Sequence, residues 1–244
     1  MFRSYFIYTI IIMTALLQSS CSKDDSLTLK IPKNGFNVVQ HLPKNTEGRD
    51  KNTLYLNPRR IKAKEFNTPE LNTLIDSMYT IMLREAGVGI AANQIGKRLQ
   101  IFILEAHSDN PRYQVLGAVA KQVFINPKIT NVSKERKNFW HGCLSADGEK
   151  RGNVATFKWI EYECQNAKGE IQRGRLDGFA AVIFQHEFRH LMKGTYLDHA
   201  NHFLSKDELD EKLENGELPF FELTNDTLPL LIEGYQIGKN LDEY

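Results

Sequence analysis

The chain has 244 residues, a formal net charge of +1, 41% hydrophobic residues and three cysteines. A balance this close to neutral gives no support for a nucleic-acid partner or for electrostatic binding to a membrane surface, and three cysteines do not make a disulfide framework. With the first 52 residues set aside, about 190 remain, which suits one domain with a substantial core.

Residues 1–21 have the layout of an export signal. Arg3 precedes an apolar run from Phe6 to Leu17, and Gln18-Ser19-Ser20-Cys21 follows. The run is about 12 residues long, short of the roughly 20 needed to span a bilayer. Ser19-Ser20-Cys21 resembles the end of a bacterial lipoprotein signal, although Gln18 stands where a Leu-like residue is usual. Cys21 would then carry a lipid anchor. Plain secretion and an uncleaved anchor are the alternatives. The expectation is a place in the bacterial cell envelope, or in the cytoplasm if the signal is not used. Residues 22–52 are polar, contain Pro32, Gly35, Pro43 and Gly48, and read as a tether with one short strand.

A domain over 53–200 follows. Thr68-Pro69-Glu70 predicts a helix start: a capping hydroxyl, proline in the first turn, then an acid. Leu71, Leu74, Ile75, Met78, Ile81 and Met82 form a helical apolar stripe that Gly87 ends. In Gly87-Val88-Gly89-Ile90-Ala91-Ala92-Asn93-Gln94, small residues let the backbone pass close to another group. Gln94 offers one amide donor and one acceptor there. No Gly-Lys-Ser/Thr follows, so this is not a phosphate loop. Leu99–Leu104 and Val123–Ile125 read as strands, the second ended by Asn126-Pro127, with a loop over 107–113.

Cys143 follows a glycine among turn-forming residues in Trp140-His141-Gly142-Cys143-Leu144-Ser145. A metal-bound thiolate needs such an adaptable loop. His141 is a competing ligand, and Cys143 could instead be a nucleophile with a histidine as base. Residues 157–163 and 170–173 read as a hairpin around Ala167-Lys168-Gly169, with Cys164 a packed residue. Asp177 then caps a helix that Gly194 stops, with Lys193 in its last turn. Phe179, Val182, Ile183, His186 and His190 share its inward face. In His186-Glu187-Phe188-Arg189-His190 the two imidazoles lie one turn apart and can share a divalent ion, with Glu187 between them to polarise a water. A catalytic site of this kind needs a third protein ligand, which Cys143 supplies. The remainder, 201–244, shows a capping box at Ser205 and Glu208, an acidic stretch over 206–217 and an apolar run over 228–232. His199 and His202 read as surface residues.

Gly-Val-Gly-Ile-Ala-Ala-Asn-Gln at 87–94, His-Gly-Cys-Leu-Ser at 141–145 and Gln-His-Glu-Phe-Arg-His at 185–190 together resemble the three motifs of the peptide deformylases, in order and spacing. Phe-Ile-Asn-Pro at 124–127 matches too, and the likeness runs from about Leu54 to Asp198. The resemblance implies an α+β fold with mixed and antiparallel sheets around a central metal-binding helix. It implies Cys143, His186 and His190 as ligands of one divalent ion, typically ferrous iron, with zinc or nickel also workable. Glu187 takes a proton from the attacking water and passes it to the leaving amine. Gln94 and the Leu144 N–H hold the oxyanion. Val88, Gly89, Phe139, Phe179, Val182 and Ile183 line the methionine pocket. The implied partners are N-formylated peptides, which release formate on hydrolysis.

The chain departs from the pattern where His141 replaces a glutamate and Arg189 replaces an aspartate. Arg151 sits where the family has an arginine partner for that glutamate, and a further family arginine near Thr156 is missing. A deformylase-derived binding protein that has lost turnover is therefore one alternative. A metalloprotease built on the same histidine pair is another, against which the Cys143 segment and Gln94 argue.

Overall fold

A computed structural model of the chain describes residues 25–29, 37–107, 116–146, 150–219, 222–223 and 227–244. The export signal with Cys21, the prolines and glycines of 30–36, and most of the 107–113 loop lie outside these.

Three helices and nine strands order the described chain: α1 (Pro69–Arg84), β1 (Gly89–Ala91), β2 (Ile101–Ala106), β3 (Val119–Val132), β4 (Arg136–His141), β5 (Lys150–Phe157), β6 (Trp159–Gln165), β7 (Ile171–Asp177), α2 (Gly178–Leu191), β8 (His202–Ser205), α3 (Lys206–Glu214) and β9 (Glu222–Leu223). One sheet runs β1-β2-β3-β6-β7 and the other β8-β5-β4-β9. Every strand-to-strand pairing within them is antiparallel. α2 packs against strands of both sheets, so the fold is α+β with the histidine-bearing helix at its centre. Among the described residues, no helix is long and apolar enough to cross a membrane.

The strand over 101–104 is apolar without alternation because both its faces are covered. Ile101 and Ile103 join Leu71, Leu74, Met78 and Met82 of α1 in one buried cluster. Phe102 and Leu104, pointing the other way, join Phe184 and Phe188 of α2 in a second. The Phe184 ring meets Phe102 and Phe124 edge-on, with centroids 5.0 and 4.9 Å away. The predicted stripe of α1 is its buried face residue for residue, and Thr68 caps it through Leu71 N–H.

Some boundaries differ from the sequence expectation. β3 does not end at Asn126-Pro127 but bulges there and continues to Val132. Asn126 adopts φ 51°, and its side chain accepts from Ile61 N–H at 2.8 Å and donates to the Ile61 carbonyl at 3.0 Å. The side chain thus supplies the pairing that the bent ladder loses. α2 ends at Leu191, and the left-handed residue after it is Lys193, φ 64°, rather than Gly194. Gly194 instead leaves room for Arg189: a Cβ there would press on the guanidinium at the end of that side chain. His199 is only partly exposed, its side chain 16% accessible. His202 is exposed.

Residues 37–52, read as tether, lie against the domain without forming a strand among the described residues. Val39 N–H donates to the Gln94 carbonyl at 2.8 Å and His41 N–H to the Ser145 carbonyl at 2.7 Å. At the other end, Leu231 and Ile232 are fully or nearly fully buried, and the capping box at Ser205 and Glu208 forms as predicted.

Candidate metal centre

The turn after β4 carries Cys143 over the inward face of α2. The Cys143, His186 and His190 side chains each direct a donor atom to one point, all within 4.8 Å of one another. Cys143 Sγ lies 3.3 Å from His190 Nε2. A tetrahedral ion bound to sulfur and imidazole nitrogen separates its donors by about 3.3–3.6 Å, so these residues fit a divalent ion. Charge gives the same answer. Burial, and then the nearby Glu187 carboxyl, push the Cys143 thiol up to about 12. Burial pulls His186 down to about 4 and raises Glu187 well above the usual carboxylate range. Burial therefore favours the neutral forms of these groups, and a cation would compensate the thiolate and carboxylate that burial disfavours.

The donors are positioned by interactions that the motifs encode. Gln185 reaches back across β5, accepting from Phe157 N–H at 2.8 Å and donating to the Phe157 carbonyl at 2.9 Å, which ties α2 to the second sheet. Asn93 Nδ2 donates to the His190 carbonyl at 2.7 Å and fixes the end of the helix to the glycine-rich segment. Gln94 is 1% exposed. Its Oε1 accepts from Ala91 N–H at 2.8 Å, so its Nε2 faces the centre, 3.1 Å from Ser145 Oγ and 3.5 Å from Cys143 Sγ.

The close approach that the small residues require is to Glu187 and Leu144. A Cβ on Gly89 would collide with the Glu187 carboxylate, and one on Gly87 would sit 3.0 Å from Leu144 Cδ1. Gly89→Ala should therefore displace Glu187 and lower kcat by about a hundredfold, the scale of an ångström-sized misplacement, with little change in metal content. Activity within about threefold of the parent would show that the carboxylate can yield.

A cavity of about 560 Å³ opens beside the centre, bounded by Val88, Gly89, Phe139, Phe179, Val182 and Ile183, with Gln94, Cys143, Leu144, His186 and Glu187 at its polar end. All six residues expected to form a pocket are thus on one wall system. Gln40, Trp140 and Lys206 also line it; no periodic pattern marks them, because they come from the tether, a strand without clear alternation and the chain's extension.

His141 does not join the converging donors. Its Nδ1 lies 3.1 Å from Nδ1 of His186. Arg189 packs over the Gly194 turn. Burial lowers its pKa, while Asp198 and Glu233 act against that. Arg151, 6% exposed, lies where a Cβ on Gly142 would strike its guanidinium. Thr156 is fully buried.

Comparison with known proteins decides the family. The family model for polypeptide deformylase matches residues 38–206. The chain belongs to the polypeptide deformylase family. It is 38% identical over 134 residues to peptide deformylase 1 of Bordetella pertussis, covering 55% of this chain and 75% of that one. It is 40% identical over 127 residues to peptide deformylase 2 of Pseudomonas putida, covering 52% and 70%. Among solved structures, a class I type b peptide deformylase of Acinetobacter baumannii with bound Met-Ala-Ser matches with a TM-score of 0.58 and 32% identity, covering 67% of this chain and 99% of that one. Like its family, this deformylase is a hydrolase that removes the formyl group from N-formylated peptides with one catalytic metal ion.

Its buried histidines also set a pH dependence. Burial takes His186 and His199 from the usual 6.5 to about 4, and lowers His141 and His190 as well. Between those values the unfolded chain binds more protons than the folded one, so stability is lost as pH falls through the window. Glu187, raised by burial, acts oppositely as pH climbs above 4.5, but one carboxyl opposes four imidazoles. Chelator-treated protein should show a melting temperature that drops steadily from pH 6.5 to 4.5. A flat or rising profile would show that these rings are not held neutral.

Proposed function

We propose that Cys143, His186 and His190 hold the catalytic ion, that Glu187 is the proton-transfer group, and that Gln94 Nε2 with the Leu144 N–H receives the oxyanion. The observation carrying this is the convergence of three ligand atoms within 4.8 Å beside a Glu187 that is 3% exposed and whose Oε2 has no hydrogen-bond partner among the described residues. When bound, the ion supplies Lewis acidity toward water and the formyl carbonyl.

The chain's own groups do the rest. The apolar walls at Val88, Gly89, Phe139, Phe179, Val182 and Ile183 take the methionine side chain and leave the formyl group at the polar end. Gln94 and Leu144 aim N–H donors at the carbonyl oxygen, where negative charge grows as water oxygen adds to the formyl carbon. Glu187 takes the proton from that water and returns it to the peptide nitrogen as the C–N bond breaks. Formate and a free amino terminus leave.

The ion is ferrous iron, zinc or nickel, with zinc favoured by location. Residues 1–21 support export to the cell envelope, with lipidation at Cys21, where a thiolate and ferrous iron are both exposed to oxidation. The substrates there are formylated peptides that have already left the ribosome, such as released signal fragments or peptides from other cells. The test is formate release by the purified full chain from formyl-Met-Ala-Ser, with acetyl-Met-Ala-Ser as control. Metal-loaded protein that binds the peptide without releasing formate would favour the binding-protein alternative raised by His141 and Arg189. Cleavage within an unblocked peptide would favour the protease.

A further inference from the structure

The departure at position 141 builds a contact of its own. His141 and His186 meet Nδ1 to Nδ1 at 3.1 Å, with ring planes only 17° apart and centroids 5.2 Å apart. That is the geometry of an in-plane hydrogen bond between two imidazoles rather than of stacked faces. His141 is 2% exposed. Phe139 meets it edge-on at 5.1 Å and the Tyr196 ring lies 6.1 Å away on another side, so its ring is fixed by packing. We propose that His141 is a positioning residue for the metal ligand His186: it accepts the His186 Nδ1–H and thereby leaves the Nε2 lone pair of His186 directed at Cys143 and His190.

The argument is one of proton counting. Each neutral imidazole carries one N–H and one lone pair, and a hydrogen bond between two Nδ1 atoms needs one of each. If His141 supplied the hydrogen, His186 Nδ1 would accept, and its N–H would sit on Nε2, where it cannot ligate. If His186 supplies it, Nε2 is free. Ligation therefore selects the tautomer in which His186 donates, and the Nδ1 lone pair of His141 receives that hydrogen, which is the office an outer partner performs for a metal-bound histidine. A carboxylate can only accept, so it would fix the tautomer in every state. A histidine can also donate, and in the ligating arrangement its own Nε2–H is buried without a partner among the described residues. His141 therefore holds the ligating tautomer once the ion has selected it.

The inference rests on the assignment of Cys143, His186 and His190 as ligands. Its test is zinc binding by the full chain, which needs no turnover; normal zinc binding without formate release would sink the activity and leave this proposal standing. Chelator competition should show His141→Leu binding zinc about 10–100-fold more weakly. His141→Gln, whose Oε1 can accept the same N–H, should stay within about threefold of the parent. Equal affinity in the leucine variant and the parent would overturn the proposal, as would an equal loss in both variants. Should the leucine variant fail to fold, nitrogen-15 NMR of the zinc-loaded parent decides. The expected result is a protonated Nδ1 on His186 and a bare Nδ1 on His141, and the reverse pattern refutes the assignment.

Discussion

Glu187→Gln is expected to lower kcat for formyl-Met-Ala-Ser by about a thousandfold, within the usual worth of a general acid–base group, while KM and zinc content stay close to the parent's. The substitution preserves shape. Glu187 is 3% exposed, lies against Gly89 and has one oxygen with no hydrogen-bond partner among the described residues, so an amide fits the same space. What the amide lacks is the capacity to take a proton from water and return it to nitrogen. Because this transfer occurs only in the transition state, the loss falls on kcat rather than on ground-state binding. Burial alone disfavours the ionised form of this carboxyl. A cation opposite it favours the ionised form that acts as a base, so metal-free protein is expected to lose activity for this reason too. A glutamine variant within about tenfold of the parent would remove Glu187 from the mechanism.

Cys143→Ala is expected to weaken zinc binding by more than about 100-fold, since even an outer partner of a ligand is worth up to that much, and to abolish formate release at stoichiometric zinc. The result also separates two chemistries that the geometry alone allows. A sulfur 3.3 Å from His190 Nε2 is compatible with a thiolate ligand and with a cysteine nucleophile paired to a base. A nucleophile replaced by alanine loses activity and keeps its metal; a ligand so replaced loses both. Burial pushes this thiol up to about 12 in the metal-free protein, which makes a free nucleophilic thiolate at neutral pH a poor expectation. Cys164, buried and likewise raised to about 12, serves as the control, because Cys164→Ala should leave zinc binding intact.

The parts of the fold legible in the sequence were those with a strong period or a side chain of fixed chemistry. The α1 stripe repeats at helical spacing and is buried as that spacing requires. The α2 face works the same way because Phe179, Val182 and Ile183 continue into His186 and His190, so an apolar pattern carries the polar ligands into the interior. β4 and β5 were not legible. Arg136–His141 shows no simple alternation, its burial falling every third residue, and β5 is buried on both faces over much of its length. The extent of β3 was hidden by Asn126-Pro127, which ordinarily marks a strand end but here makes a bulge sealed by the asparagine side chain. The cavity wall was legible through motif resemblance, whereas Gln40 and Lys206 reach the rim from segments with no periodic signal. The role of His141 needed coordinates: the sequence allowed a competing ligand, and only the Nδ1–Nδ1 contact places it behind His186.

X-ray absorption at the zinc edge of the metal-loaded full chain tests the ligand set most directly. One sulfur at about 2.3 Å with two imidazole nitrogens at about 2.0–2.1 Å is predicted, the sulfur vanishing in Cys143→Ala. A shell of nitrogen and oxygen alone, the same in parent and variant, would contradict it.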